Sequence, residues 1–319
     1  MPKPSPVIIA LTVTFRRPAE IERLIACLGA QTVRCAAHVI VDNAGESSLR
    51  ETLRAYQSSL GSVLELVYIP NPGNPGVGAG LKAGEEWISR KFEPANYIWV
   101  LDDDAVPEPD CLEQLLGGIS EQGAGMATPA FHKNQAGEPL LVVDPHSNPL
   151  TSRRIKKLSC REQIEVLLPY FPAYWATGVC QLVSLDAIRK MGFYRTDFWM
   201  QGEDIEYSHR IAMALGVVVV RDCAVGHYKV GELPKVSEPA HARSFLALIQ
   251  NLAYMAFHTR YGLRCFLGSW ISSVMRYFRT FYRHPGWFVL ALVASFGGAV
   301  LGRPAGLSPG PAIRSRLKL

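Results

Sequence analysis

The chain has 319 residues and a formal net charge of +5, and its seven cysteines form no Cys-x-x-Cys pair. This length accommodates a complete α/β core with an appended region, and the scattered cysteines argue against a disulfide framework and a thiolate zinc site. The apolar N-terminal stretch runs directly into a strand pattern without the cleavage site of a signal peptide, so we expect a cytoplasmic protein.

Alternating strand and helix patterns fill the first two thirds of the chain. Runs rich in β-branched and aromatic residues predict strands, and apolar residues at helical spacing predict helices. The predicted strands are 7–15, 38–42, 64–69, 97–101 and 217–220, and the predicted helices are 18–31, 78–90 and 110–121. This alternation is typical of an α/β fold with a mostly parallel, Rossmann-like sheet flanked by helices. Ligands bind such sheets at the carboxyl ends of the strands, which places Asp42, Asn71 and Asp102 on one rim.

A glycine-rich turn at residues 71–80 follows the third predicted strand and opens a helix. Such a turn can present backbone N–H groups to a nucleotide. It lacks the Gly-Lys-Ser/Thr ending of a Walker A loop and matches the dinucleotide fingerprint Gly-x-Gly-x-x-Gly poorly. The turn therefore argues against an ATPase and against an NAD-dependent enzyme.

Three consecutive carboxylates, Asp102, Asp103 and Asp104, directly follow the fourth predicted strand. Their mutual repulsion is relieved if a hard divalent cation binds between them, and side chains two residues apart in an extended segment point to the same side. The pattern therefore predicts Asp102 and Asp104 as ligands of Mn²⁺ or Mg²⁺, with Asp103 facing the other way. The alternative is an acidic turn in which Asp104 caps the next helix.

The segment 133–149 is rich in Gly, Pro, Asn and His and predicts a loop or an irregular hairpin. A basic cluster follows it, and this cluster is either a solvated surface or a phosphate contact. Its residues are Arg153, Arg154, Lys156 and Lys157.

Two acidic residues, Glu203 and Asp204, stand at the start of a helical pattern and follow Gly202. Acidic residues favour the first turn of a helix for dipole reasons alone, but the preceding glycine also lets the backbone bring one carboxylate to a bound sugar as a general base.

Further along, His227 follows a strand-like run. It is either a hydrogen-bonded structural residue or a neutral imidazole that completes the metal site.

Taken in order, these motifs resemble glycosyltransferase family 2, the inverting transferases of the GT-A fold. The resemblance rests on the ordered set over residues 7–230 and not on any single motif. The set comprises residues 12–18, 41–43, 71–80, 102–104, 175–178, 202–206 and 226–227. Within the family the chain is most similar to galactofuranosyltransferases, with bacterial rhamnosyltransferases close behind. Galactofuranosyltransferases carry a Trp directly before the acidic pair, whereas this chain has Gly202 there.

The resemblance implies a role for each motif residue. Asp102, Asp104 and His227 would hold Mn²⁺ or Mg²⁺ on the donor diphosphate, Asp204 would be the catalytic base, and Glu203 would be its neighbour at the acceptor. The residues implied to bind the donor and line the sugar and acceptor pockets are Thr14, Arg16, Asp42, Asn43, Asn74, Gly76, Asp103, Trp175 and Trp199. For the two tryptophans, ordinary core packing is the alternative.

The resemblance also implies substrates. The donor is a nucleotide sugar, with UDP-galactofuranose favoured and dTDP-rhamnose next. The acceptor is a glycan or a lipid-linked glycan in cell-envelope polysaccharide synthesis.

The C-terminal region differs from the rest in charge. Residues 242–319 hold ten Lys or Arg and no Asp or Glu, whereas the preceding residues hold 23 basic and 28 acidic residues. Residues 263–283 form a basic and aromatic amphipathic pattern, and 286–302 form an uncharged apolar stretch that is short for a membrane span. We therefore expect a catalytic domain at 1–240 and a helical membrane-associating extension at 241–319, lying on the inner face of the cytoplasmic membrane. Packing of the amphipathic helix on the catalytic domain is the alternative.

Two other functions were weighed against this interpretation. A sugar nucleotidyltransferase also uses an α/β sheet and carboxylate-bound Mg²⁺, but residues 12–18 lack its basic glycine-rich signature. A non-enzymatic nucleic-acid or membrane-binding protein would explain the basic tail but not the three adjacent aspartates. We therefore expect no nucleic-acid partner.

Overall fold

The fold is taken from a computed structural model that describes residues 5–60, 64–93, 95–133, 139–141, 168–227, 239–260, 262–281 and 285–302. The strands in these ranges are β1 Ile8–Thr14, β2 Ala37–Asp42, β3 Glu65–Pro70, β4 Tyr97–Leu101, β5 Ala105–Pro107, β6 Met126–Lys133, β7 Pro139–Leu141, β8 Tyr170–Ala173, β9 Cys180–Ser184 and β10 Val217–His227. The helices are α1 Pro18–Gly29, α2 Ser47–Leu60, α3 Val77–Lys91, α4 Cys111–Gln122, α5 Leu185–Met191, α6 Glu203–Leu215, α7 Pro239–His258, α8 Gly262–Phe281 and α9 Pro285–Ala299. The basic cluster at 153–157 lies outside the described residues.

The strands form one sheet in the order β3-β2-β1-β4-β9-β6-β10-β5, with β7 beside β6 and β8 beside β10. The half from β3 to β4 is parallel, as the alternating pattern predicts. Beyond it the sheet is mixed, because β9 enters antiparallel between β4 and β6 while β6 and β10 run parallel. The carboxyl end of β4 therefore lies beside the segment that leads into β9.

Helices cover both faces of the sheet. Successive strand residues point to opposite faces, so Ile9 and Ile98 join one apolar cluster while Ile8 and Trp99 join the other. Residues of α3 and α6 belong to the first cluster, and residues of α1 and α4 belong to the second. The result is a three-layer α/β/α arrangement.

Close packing of α3 on β1 depends on glycine. A Cβ atom at Gly84 would lie 2.2 Å from Leu11 Cδ1, a distance at which either the buried Leu11 side chain or the helix would have to shift. The helix therefore lies closer to the strand than a larger residue would allow.

The last strand, β10, is longer than predicted. The sequence pattern indicates a strand at 217–220 and a turn at Arg221 and Asp222, but the strand continues to His227. The predicted turn is wrong, because a register shift between Val220 and Ala224 accommodates the two charged residues as a bulge within the strand.

The C-terminal helices pack on each other and on the catalytic layers. Leu252 and Met255 of α7 and Phe266 of α8 share an apolar cluster with Trp175 and with Ile205 of α6. Helix α8 matches the predicted amphipathic segment, and α9 lies within the predicted apolar stretch apart from its first residue. Within the described part of the chain, no helix combines the length and the hydropathy that crossing a bilayer requires. The domain boundary at 240 and the membrane-associating role stay predictions.

Candidate active site

The three aspartates form the junction between β4 and β5. The Asp102 N–H donates to the Val179 carbonyl ahead of β9, and the Ala105 N–H donates back to the Asp102 carbonyl, which makes a tight turn. Strand β5 then pairs antiparallel with the end of β10, and the ladder places His227 opposite Ala105. Strand pairing therefore brings His227 to the aspartates across more than a hundred residues of sequence.

Asp102, Asp104 and His227 form a cluster suited to a divalent cation. The Nε2 atom of His227 lies 3.1 Å from Asp104 Oδ1 and 3.8 Å from Asp102 Oδ2. One ligand atom from each residue lies within 4.8 Å of the others. The side chains of Asp102 and His227 are 42% and 39% exposed, whereas that of Asp104 is 4% exposed, so the cluster opens on one side. Two carboxylate oxygens and one imidazole nitrogen fit Mn²⁺ or Mg²⁺ and leave positions for a diphosphate.

The cluster carries excess negative charge. Partial loss of solvation raises the pKa of Asp102, and repulsion from Asp104 adds to this rise while His227 opposes it. A bound cation would stabilise the ionised carboxylates and reverse this effect. The electrostatics therefore agree with the ligand chemistry.

Asp103 belongs to a different set of contacts. Its carboxylate accepts hydrogen bonds from Thr14 Oγ1 at 2.8 Å and from Arg17 Nη1 at 2.7 Å. The same Arg17 nitrogen lies 3.3 Å from Asp104 Oδ2, so Arg17 bridges two of the three aspartates. Sequence reasoning missed Arg17, although an arginine directly before the helix-starting Pro18 was a usable signal. Direct donor contacts by Thr14 and Asp103 stay predictions.

The catalytic pair predicted from the sequence begins α6. Asp204 Oδ2 accepts from the Gly178 N–H at 2.6 Å, and Oδ1 accepts from the Ile205 N–H at 2.8 Å. Burial raises the pKa of Asp204, and these N–H groups oppose the rise. Gly178 directly precedes Val179, whose carbonyl accepts from the Asp102 N–H, so the backbone that holds Asp204 also holds Asp102. A carboxylate that holds a proton more tightly than usual is a better general base.

Glu203 lies beside this carboxylate without equivalent support. Its Oε2 atom is buried and has no hydrogen-bond partner among the residues that the structure describes. Burial raises its pKa well above the usual range, with repulsion from Asp204 adding to the shift. Glu203 and Asp204 therefore differ in environment, and the supported carboxylate is that of Asp204.

The glycine-rich turn docks the segment that contains Trp199. A Cβ atom at Gly76, where φ is +104°, would lie 2.3 Å from the Trp199 carbonyl oxygen. That carbonyl accepts from the Val77 N–H at 3.0 Å, and the Trp199 ring donates to the Asn74 carbonyl at 3.4 Å. Asn43 also donates to the Gly76 carbonyl at 3.0 Å. The turn therefore has a packing role, while nucleotide contacts by Asn43, Asn74 and Gly76 stay predictions.

A pocket beside β1 and β2 contains two of the residues predicted to bind the nucleoside. Its lining includes Arg16, Arg17, Asp42 and Glu46. Asp42 is buried and accepts hydrogen bonds from the N–H groups of Ala44 and Glu46, whereas Arg16 pairs with Glu46 at 2.8 Å. Arg16 and Asp42 are thus brought together, and their contact with a donor stays a prediction.

Two further side chains complete the surroundings. His132 of β6, which sequence reasoning missed, has its ring centroid 5.7 Å from that of His227, and burial lowers its pKa to about 3. No motif marks His132, and only the register of β6 against β10 reveals it. Trp175 packs in the apolar cluster with Ile205 and the C-terminal helices, so its predicted contact with a sugar is untested.

Comparison with known proteins agrees with this geometry. The family described as "Glycosyl transferase family 2" matches residues 9–191, which is more than half of the chain. Two curated relatives, both galactofuranosyltransferase GlfT1 from Mycobacterium tuberculosis (strains CDC 1551 / Oshkosh and ATCC 25618 / H37Rv), are 24% identical over 208 residues. The match covers 64% of this chain and 64% of each relative.

Solved structures share the fold at low sequence identity. The mannosyltransferase PcManGT from Pyrobaculum calidifontis, in complex with GDP-Man and Mn²⁺, matches with TM-score 0.55 and 13% identity over 99% of this chain and 81% of that chain. S. aureus TarS 1–349 with UDP-GlcNAc gives 0.58 and 12% over 92% and 81%. GalNAc-T7 with UDP, GalNAc and Mn²⁺ gives 0.53 and 13% over 86% and 54%. These similarities confirm the GT-A fold.

The family match and the fold agree with the ordered motifs and disfavour the sugar nucleotidyltransferase alternative. The chain belongs to glycosyltransferase family 2.

Proposed function

We propose that this protein transfers a sugar from a nucleotide-sugar donor to an acceptor hydroxyl, with inversion at the anomeric carbon. The observation that carries the proposal is the meeting of two acidic groups at one cleft. One group is the cluster of Asp102, Asp104 and His227, and the other is the backbone-supported carboxylate of Asp204. The same cleft can therefore hold a donor diphosphate and a general base.

In this mechanism Asp204 accepts the proton of the acceptor hydroxyl as its oxygen bonds to the anomeric carbon. The bond from that carbon to the diphosphate breaks, and the nucleoside diphosphate leaves with the bonding electrons. Asp102, Asp104 and His227 would hold Mn²⁺ or Mg²⁺, which supplies positive charge to the leaving diphosphate when bound. The Gly178 and Ile205 N–H groups keep the base carboxylate in place.

We propose UDP-galactofuranose as the favoured donor and dTDP-rhamnose as the next. The support for the first is the 24% identity to two relatives named galactofuranosyltransferase, and the nucleotide-sugar class is supported by neighbours solved with UDP-GlcNAc and GDP-Man. The proposed acceptor is a glycan or lipid-linked glycan of the cell envelope. A thermal-shift panel with Mn²⁺ and UDP, dTDP or GDP, followed by the matching nucleotide sugars, tests the donor. Stabilisation by none of them would overturn this assignment.

The base assignment has its own test. We expect Asp204→Asn to lower kcat by about a hundredfold to ten-thousandfold, because an amide cannot take the acceptor proton. Donor binding, measured by calorimetry in the presence of Mn²⁺, should be nearly unchanged. The matched control is Asp186→Asn, because Asp186 is an exposed carboxylate on α5 that pairs with Arg189 of the same helix at 3.1 Å. Normal turnover by Asp204→Asn would remove Asp204 from the mechanism.

We further propose that α8 and α9 lie on an anionic membrane surface at the inner face of the cytoplasmic membrane. Large apolar side chains are exposed on both helices, namely Leu263, Ile271, Met275, Phe278, Val289, Leu292, Val293 and Phe296. The ten basic and no acidic residues of 242–319 add attraction to anionic lipids. This surface would bring a lipid-linked acceptor to the cleft.

A further inference from the structure

Helix α7 contacts the backbone that leads into the catalytic pair. Asn251, on α7, is fully buried, and its Nδ2 atom donates to the Gln201 carbonyl at 2.5 Å and to the Met200 carbonyl at 3.2 Å. These two carbonyls precede Gly202, after which α6 begins with Glu203. A single amide therefore joins the C-terminal helices to the turn that aims the catalytic carboxylates.

The turn needs such support because its backbone conformation is unfavourable. Gln201 has φ +65° and Gly202 has φ +97°, so two successive residues lie in the left-handed region. For a residue with a side chain this conformation costs about 1 kcal/mol or more, and it persists where surrounding contacts hold it. The Gln201 side chain is exposed and gives no visible compensation, whereas its carbonyl is held by Asn251.

Side chains of α7 lie at van der Waals distance from the turn. A Cβ atom placed on Gly202 would lie 3.4 Å from Asn251 Cβ and 3.4 Å from Met255 Cε, so α7 approaches the backbone closely. On the other side of the turn, Arg195 donates to Tyr254 Oη of α7 at 2.7 Å. Helix α7 thus flanks the turn and the segment before it.

We propose that Asn251 is a positioning residue, which sets the orientation of Asp204 by holding the left-handed turn at residues 200–202. The proposal rests on the function assigned to Asp204 above. It makes helix α7, from the region predicted as a membrane extension, a part of the catalytic scaffold. Loss of the amide would leave two partly buried carbonyls without this donor and let the start of α6 shift.

Asn251→Ala in the full-length chain tests the proposal. We expect kcat to fall by about tenfold to a hundredfold, since a small displacement of a catalytic group has this effect. The KM for the donor and the calorimetric Kd for Mn²⁺ with UDP should be nearly unchanged, because the β4–β5 junction and the end of β10 position the cluster of Asp102, Asp104 and His227. Thr259→Val is the matched control, because Thr259 directly follows α7 and its hydroxyl donates back to the Met255 carbonyl of that helix at 2.6 Å.

A suppressor separates positioning from general damage. Gln201→Gly lowers the cost of the left-handed conformation, so adding it to Asn251→Ala should recover part of the lost kcat. Asn251→Ser, which keeps a shorter donor, provides the same comparison if the alanine variant does not fold. Equal losses of donor affinity and kcat, or a normal kcat in Asn251→Ala, would overturn the proposal. If Asp204→Asn is active, the assigned function fails instead, so the two failures are distinguishable.

Discussion

At the scale of single residues, local spacing and strand pairing together form the cluster of Asp102, Asp104 and His227. The i, i+2 spacing of Asp102 and Asp104 on an extended segment directs both side chains to one side. The third predicted ligand, His227, comes close to them through the pairing of β5 with β10. Arg17 then offsets charge on the face away from the cluster, where it contacts Asp103 and Asp104. The three aspartates therefore contact two different partners. His227 lies near Asp102 and Asp104, and Arg17 contacts Asp103 and Asp104.

Removing the imidazole tests the cation site. We expect His227→Ala to raise the Mn²⁺ concentration for half-maximal activity by at least about tenfold, since the cluster would retain only two of its three ligands. Activity of the parent chain should be lost in EDTA and restored by adding Mn²⁺ or Mg²⁺. Asp222→Asn, at an exposed carboxylate on the same strand, is the control. Full activity in EDTA after extensive dialysis would contradict a cation site.

At the scale of elements, α3 connects the glycine-rich turn with α6. Its N-terminal turn receives Trp199, and its interior carries Glu85, which is fully buried. Tyr207 of α6 donates to Glu85 Oε1 at 2.6 Å, and the Tyr194 N–H donates to Oε2 at 3.0 Å. The carboxyl group of Glu85 thus joins α3 to α6 beneath the cleft.

Two glycines of the turn provide a matched pair for testing the docking of Trp199. Gly76 and Gly73 both have positive φ, but a Cβ at Gly76 meets Trp199 whereas a Cβ at Gly73 meets nothing within 4 Å. We expect Gly73→Ala to lower the free energy of unfolding by about 1 kcal/mol and Gly76→Ala by roughly 3 kcal/mol, because overpacking adds to backbone strain. Urea denaturation measures both values. Equal losses of unfolding free energy in the two variants would show that the segment with Trp199 can move aside without a loss of stability.

The buried Glu85 carboxyl predicts a pH dependence of stability. Burial raises its pKa from 4.5 to about 7, against the opposing hydrogen bonds from Tyr207 and Tyr194. Between these two values the folded state holds a proton that the unfolded state releases, so the free energy of unfolding falls as the pH rises through this interval. The contribution is as much as about 3 kcal/mol and is fully present below the unfolded pKa.

Glu85→Gln should remove this dependence. The free energy of unfolding of the parent minus that of Glu85→Gln should fall by as much as about 3 kcal/mol as the pH rises from 4.5 to 7. Glu86→Gln, at the neighbouring and partly exposed carboxylate, should give a curve parallel to that of the parent. A parallel curve for Glu85→Gln as well would mean that Glu85 does not titrate in this interval.

At the scale of the whole molecule, the C-terminal helices have an inner and an outer face. The inner face packs on Trp175 and Ile205 and supplies Asn251 to the catalytic turn. The outer face exposes apolar side chains of α8 and α9 in a region without acidic residues. The proposed membrane-binding face of α8 and α9 would therefore be separated from Glu203 and Asp204 by one layer of helices.

Membrane attachment can be tested without truncating the chain. Ile271 and Met275 are one helical turn apart on the exposed face of α8. We expect the double variant Ile271→Asp, Met275→Asp to lose flotation with phosphatidylglycerol-containing vesicles and to keep its activity on a water-soluble acceptor. Leu168→Asp, at an exposed apolar residue outside these helices, should float like the parent. Unchanged flotation of the double variant, or no flotation of the parent, would overturn this proposal.

Sequence alone determined the local features, because hydrophobic periodicity and residue spacing report on segments of the chain. It predicted the alternating elements, the parallel half of the sheet, the pair Asp102 and Asp104, and the acidic start of α6. Tertiary structure decided what depends on distant partners. The β5–β10 ladder placed His227, side-chain pairing placed Arg17, and helix packing placed Asn251. The bulge that extends β10 also depends on pairing with β6, so the local pattern showed only its first four residues.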